Sequence, residues 1–357
     1  MKNLKKLSAL LGFLFLMGLN QYPKTYQVIS SHPEDVEQVF KLTKTQYQNG
    51  RLWIVSLRDG VSEKDVKEFL RPTTGEEKSY EYVSSAKRQI VKSESIIQKL
   101  NELNQDKLKS DVEMLTSFRT RAAGSAENQA AVASIAKRMQ EYGYNVRQEC
   151  YRTGACSIVA RKAGANTTNK TLMLMAHLDS VGHDFAGADD NASGTAVLLE
   201  IARIYSDFQN KKNIEFFITN GEELGLLGAK DYVKKIIANN RKPEFELVIN
   251  MDMVGYNSNG VVELETNRSQ EILAQWFAEL SVNYTTLKSK ITLNAWGSDH
   301  VPFLEGGIPA LLTIEDWSTK TPCYHKQCDK PETINFQYML QIAKLNAAAL
   351  MTKDQAN

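Results

Sequence analysis

The chain has 357 residues, 42% hydrophobic and 24% charged, with a formal net charge of +1. That length supports a large buried core and about two to three domain units. Near-neutral charge, with no basic stripe interleaved with aromatics, argues against a nucleic-acid partner.

In chain order, the first feature is "MKNLKKLSALLGFLFLMGLNQYP". Lys2, Lys5 and Lys6 precede an apolar run from Leu7 to Leu19. A basic start with a short apolar core predicts a secretory signal over residues 1–21. The run is short for a bilayer span, and no other segment is apolar enough, so stable membrane insertion is not expected. Residues 22–92 read as a small α+β unit, either a pro-region or an accessory domain. Within it "YQVIS" and "RLWIVSL" are strand-like, and "SHPEDVEQVFKLT" and "SEKDVKEFL" are helix-like. No cluster with metal-ligand spacing occurs in it.

Residues 93–357 read as a second, larger domain. The charged stretch 84–110 is helix-prone and leads into it. A helix is predicted from Ser125 to Tyr142, with Val132, Ile135, Ala136 and Met139 on one face and Gly143 as its stop. The apolar runs "SIVAR", "TLMLMA", "IEFFIT", "ELVINM" and "PALLTI" follow. They alternate with helical stretches such as "GTAVLLEIARIYSDF" and "GLLGAKDYVKKII". This pattern predicts an α/β fold, a mostly parallel central sheet with helices on both faces. Ligands in such sheets bind at the carboxyl ends of the strands.

The polar residues fall at those ends. His177 and Asp179 follow the second run, Glu222 and Glu223 the third, and Asp252 the fourth. A loop after the last run brings His325, and "GADDNASG" (187–194) follows the His177 strand. Each alone has an ordinary role as helix cap or solvated side chain, but together they converge on one crevice. Two histidines and several carboxylates favour zinc. "GADDNASG" meets a calcium-loop pattern only in part, because position twelve is Glu200, inside an apolar helix. Helix capping by Asp190 or Asn191 is compatible with a neighbouring metal. The four cysteines form two close pairs, Cys150 with Cys156 and Cys323 with Cys328. In an exported chain such pairs read as local disulfides, the first closing a hairpin and the second stiffening the His325 loop. A free thiol pair, or Cys328 as a metal ligand, is the alternative.

The segments "HLDS", "GADDNASG", "GEELGLLGA", "NMDMVGY", "GSDHVPF" and "YHKQCD", in this order, resemble the bacterial leucyl aminopeptidase family of di-zinc exopeptidases over roughly residues 95–357. The resemblance implies a zinc exopeptidase-like fold and two Zn2+ ions per chain. It implies that Asp189 bridges them, that His177 and Asp252 complete one site, and that Glu223 and His325 complete the other. Glu222 is then the general base for a di-zinc-activated water, and Asp179 holds the His177 imidazole from behind. The Asp189–Asp190 bond is expected to be cis. One departure concerns the tyrosine that the family carries shortly before "SDH": here the segment reads "LNAWGSDH". Met253, Trp296 and Tyr324 are candidate lining for the side-chain pocket, with plain packing the alternative. Neither Arg119 nor Arg121 in "SFRTRAAGS" receives a specific contact.

The resulting expectation is a monomeric secreted or periplasmic metallo-aminopeptidase acting on peptides with a free N-terminus. Carboxypeptidase, dipeptidase or glutaminyl cyclase activity on the same fold, and a non-enzymatic binding ectodomain, are the alternatives.

Overall fold

The computed structural model describes residues 25–29, 43–49, 52–58, 71–72, 78–84, 92–165, 169–182, 184–294 and 297–356. The expected signal, both expected helices of the N-terminal unit, and Trp296 lie outside these residues. The chain divides into two compact units, 1–74 and 75–357. The larger unit thus starts at Gly75, upstream of the boundary expected at 92/93.

In the first unit, β1 (Thr25–Ile29), β2 (Thr43–Asn49), β3 (Leu52–Leu57) and β4 (Arg71–Pro72) form a sheet in the order β2-β3-β1-β4. All its pairings are antiparallel, with Tyr26 opposite Val55. β1 and β3 fall on the two predicted strands. β2 was not anticipated; its Thr43, Thr45 and Tyr47 alternate with polar residues, a period-two pattern weak in large apolar side chains.

The second unit runs in the order β5 (Lys78–Glu81), α1 (Glu94–Leu100), α2 (Gln105–Thr116), α3 (Ala126–Glu141), β6 (Asn145–Arg152), β7 (Ala155–Lys162), β8 (Thr171–His177), α4 (Gly194–Tyr205), β9 (Asn213–Thr219), α5 (Leu227–Ala238), β10 (Phe245–Met251), β11 (Val261–Thr266), α6 (Glu271–Tyr284), β12 (Lys288–Leu293), α7 (His300–Glu305), β13 (Ala310–Glu315) and α8 (Phe336–Gln355). Helix α3 forms as its sequence dictates. The Ser125 hydroxyl accepts the Asn128 N–H at its start, Gly143 takes φ 87° just past its end, and Ala131, Val132, Ile135 and Met139 are buried at helical spacing. Asn104 caps α2 in the same way.

Nine strands form one sheet, ordered β5-β12-β11-β13-β10-β8-β9-β7-β6. Its centre is parallel: β10 pairs with β13 and β8, and β8 with β9. The flanks correct the expectation of a mostly parallel sheet, because β7 runs antiparallel to β9 and β6, and β11 runs antiparallel to β13. The tight hairpin between β6 and β7 leaves no room for a crossover helix, so those strands must reverse. β11 and β12 were not singled out in the sequence because charged residues interrupt them. Glu263 on β11 is nevertheless buried, accepting hydrogen bonds from Lys290, Thr292 and the Trp317 N–H.

Period-two alternation divides the central strands between two cores. Leu172, Leu174, Phe216, Leu247 and Ile249 pack on the side of α2, α3, α4 and α8. Met173, Met175, Phe217 and Val248 pack against Tyr232, Val233 and Ile236 of α5 and Phe303 of α7. Burying each such side chain contributes about 1.5–3 kcal/mol. With both faces covered, the exits of the parallel strands are left to form a site.

Candidate metal centre

Pairing of β8 with β9 sets His177 beside Thr219, and the neighbouring strand β10 ends at Met251. His177, Glu222, Glu223 and Asp252 therefore leave the sheet side by side. Three overlapping groups of potential ligand atoms result, each within 4.8 Å: His177, Glu222 and Glu223; His177, Asp190 and Asp252; Asp190, Glu223 and His325. Asp190 is the shared residue of the last two. One of its oxygens lies 3.2 Å from His177 Nε2 and the other 3.0 Å from His325 Nε2. Asp252 Oδ1 is 3.2 Å from His177 Nε2, and Glu223 Oε2 is 3.4 Å from His325 Nε2.

These distances correct the expected bridge. Asp189 faces away from the histidines. Its Oδ1 accepts the N–H groups of Gly255 (2.7 Å) and Tyr256 (3.1 Å), in the loop after β10. A carboxylate held by two backbone donors is fixed in direction, so it is Asp190, not Asp189, that faces both histidines. The cis peptide bond likewise lies one residue on, at Asp190–Asn191. Asn191 is the cap: its Oδ1 accepts the Gly194 N–H at 2.8 Å and its Nδ2 donates to Met251 O at 2.9 Å. Glu200, which a calcium loop would need, is instead buried in α4, accepting the Asn104 N–H and pairing with Arg203.

Asp179 also differs in detail from its expected part. Its backbone carbonyl faces His177 Nδ1 at 3.0 Å, which fixes the tautomer, while its carboxylate lies 3.7 Å from that nitrogen. The carboxylate accepts the N–H groups of Glu222 (3.2 Å) and Glu223 (3.1 Å). One residue thereby orients the histidine and anchors the turn that carries both glutamates.

Two residues essential to this geometry were not assigned from sequence. Arg121 is fully buried and donates to the carbonyls of Leu115, Leu178, Ala186 and Gly187. Burial lowers its guanidinium to about 10, still ionised at neutral pH. Asp329, the last residue of "YHKQCD", accepts the N–H groups of Asp189 and Asp190 at 2.8 and 3.0 Å. Both act on main chain, which leaves no spacing signature in a sequence. Arg119, by contrast, is exposed.

The centre is starved of positive charge. Burial opposes protonation of His177, yet the carboxylates of Asp252 and Glu222, with Asp179 and Asp190, raise its pKa well above the usual imidazole value. His325 is raised to about 9, burial again opposing and Glu223 and Asp190 prevailing. A dication held here would supply the missing charge directly. The donors fit zinc: atoms about 2.0–2.1 Å from a tetrahedral ion lie about 3.3 Å apart, close to the 3.0–3.4 Å between the donors here.

Around the centre, both cysteine pairs are disulfides, Cys150–Cys156 and Cys323–Cys328, the second flanking His325. Met253 packs with Leu312 and Ile314, against Trp317 and Tyr324. The structure thus brings together two of the three expected pocket residues and adds Trp317, whose ring meets Tyr324 edge-on at 5.4 Å; Tyr324 stacks on His325 at 3.8 Å.

Parallel strands whose exits and following loops bring two histidines and a shared carboxylate into one buried crevice define an α/β metallohydrolase. The chain belongs to peptidase family M28, whose family model matches residues 157–350. It is similar to leucine aminopeptidase 1 of Aspergillus fumigatus, 29% identical over 274 residues covering 68% of this chain and 70% of that protein. Aminopeptidase YwaD of Bacillus subtilis is 34% identical over 200 residues, covering 54% of this chain and 44% of that protein. The fold is shared with LapB of Legionella pneumophila, at a TM-score of 0.72 and 19% identity, over 93% of this chain and 100% of that one.

Proposed function

We propose that the protein is an exported di-zinc aminopeptidase that removes N-terminal residues from peptides. The observation that carries this reading is Asp190, whose two oxygens each face a different histidine at 3.2 and 3.0 Å. His177, Asp190 and Asp252 would hold one ion, and Asp190, Glu223 and His325 the other. Zinc there would supply Lewis acidity, polarising a carbonyl oxygen and easing deprotonation of a water. Glu222, adjoining both His177 and Glu223, is the general base. It takes the water's proton and returns it to the leaving amine. Its main chain is held by Asp179, so the carboxylate needs little reorganisation during the reaction. Acidic groups around the centre favour a substrate's protonated amino terminus, which accounts for exopeptidase rather than endopeptidase action.

Export is supported by the basic-then-apolar N-terminus and by two disulfides. No helix among the described residues is long and apolar enough to cross a membrane. Residues 1–74 are proposed as signal plus pro-region or accessory unit.

The test uses two substrate sets, aminoacyl amides with free amino groups and N-acetylated peptides. Cleavage of the first set only is expected. Release of C-terminal residues from acetylated peptides, with free aminoacyl amides untouched, would overturn the aminopeptidase reading. Zinc near two equivalents per chain is expected by metal analysis.

A further inference from the structure

The hairpin of β6 and β7 lies outside the proposed metal ligands, yet it grips the turn that carries the two glutamates. In the antiparallel pairing Ile158 faces Ile218, so the start of β7, next to the hairpin tip, lies alongside the exit of β9. Ser157 Oγ accepts the Asn220 N–H at 3.0 Å, and Cys156 O accepts from Asn220 Nδ2 at 3.1 Å. Across the disulfide from Cys156, the residue after Cys150 is Tyr151. Gly221 has φ +81°, and a Cβ there would meet Tyr151 Oη at 2.4 Å and Cζ at 2.7 Å. The phenol edge therefore rests directly on the Gly221 α-carbon. Its hydroxyl is buried and donates no hydrogen bond within the described residues.

We propose that Tyr151 is a positioning residue for Glu222 and Glu223, pressing on Gly221 while the Cys150–Cys156 bridge holds it in place. The turn is then fixed from two sides. Asp179 holds the N–H groups of Glu222 and Glu223 from within the crevice, and the hairpin holds Asn220 and Gly221 from the sheet edge. A small displacement of this turn moves the base and one metal ligand together, and misplacement by about 1 Å can cost about 100-fold in rate. The inference rests on the proposed roles of Glu222 as base and Glu223 as ligand.

The test compares Tyr151→Ala, Tyr151→Phe and the double variant Cys150→Ser/Cys156→Ser in the full chain. Two readouts are taken: kcat and KM on a leucine amide, and hydrogen exchange of the Glu222 and Glu223 amides in zinc-free protein. Tyr151→Ala is expected to lower kcat at least tenfold with KM within threefold, and to speed exchange at both amides about tenfold. Tyr151→Phe keeps the ring and should lose clearly less. The cysteine variant should resemble Tyr151→Ala in direction, and it decides the matter if Tyr151→Ala does not fold. Unchanged exchange in a folded Tyr151→Ala or cysteine variant would overturn the proposal. So would a Tyr151→Phe loss as large as that of Tyr151→Ala with unchanged exchange, which would make the hydroxyl a substrate contact. If the wild type holds zinc but leaves aminoacyl amides intact, the aminopeptidase reading fails while the exchange comparison still judges Tyr151.

Discussion

Asp189 and Asp190 are adjacent, buried and chemically identical, and what separates them is the main chain around each. Gly255 and Tyr256 offer two N–H groups to Asp189, which turns its carboxylate toward the loop after β10. Asp190 is left facing both histidines. Replacing Asp190 with Asn should therefore lower bound zinc by at least one equivalent and activity by orders of magnitude. Asp189→Asn should retain most of the metal and act through stability. Metal analysis beside thermal unfolding separates the two outcomes; loss of both ions from Asp189→Asn with Asp190→Asn intact would reverse the assignment. At Glu222 the expectation differs again: Glu222→Gln keeps both metals and loses about 100- to 10,000-fold in kcat, as removal of a proton-transfer group does. Near-normal turnover in that variant would remove Glu222 as the base. The identity of these ligand-bearing segments was legible because they sit at strand exits. Which of two neighbouring aspartates faces the crevice was not, since it depends on donors 66 and 67 residues further along the chain.

At the scale of elements, helices with clear caps and strong apolar faces were readable, as α3 shows with Ser125, its buried stripe and Gly143. β11 was not, because Glu263 and Glu265 interrupt its apolar pattern while being buried in the structure. The connections between elements hid most. Arg121 ties the loops after α2 and β8 to the turn ahead of Asp189 through four carbonyls. Its removal leaves those acceptors unmet and the acidic surroundings uncompensated. Arg121→Leu is expected to cost about 3–5 kcal/mol, read as a lowered midpoint in denaturant at constant slope. A change within 1 kcal/mol would show that water replaces the guanidinium without loss.

For the whole molecule, the clustered carboxylates make the metal part of the stability of the fold. Ligands that bind only the native state stabilise it by about 4 kcal/mol at a thousand times their Kd. Chelator treatment should accordingly lower Tm by roughly 10 °C, reversed by adding zinc. An unchanged Tm with zinc fully removed would mean that the centre contributes nothing to folding. The unit 75–357 includes β5, which is short and polar. Lys78–Glu81 gives no sequence sign of pairing with Lys290–Leu293.

That short strand would restrict where any cut between the two units could fall. β5 covers the outer side of β12, and the chain around it is fastened to α6: Tyr80 donates to Glu271, and Tyr82 and Ser84 to Glu279. A protease that removes the first unit must therefore stop short of Lys78 if the sheet is to keep its selvedge. Cutting near residue 92 would bare the N–H and C=O row of β12, a template for another chain. A chain beginning at Gly75 is expected to elute as a single discrete species. One beginning at Ser93 is expected to self-associate, and equal behaviour of the two on size exclusion would show that β12 needs no cover.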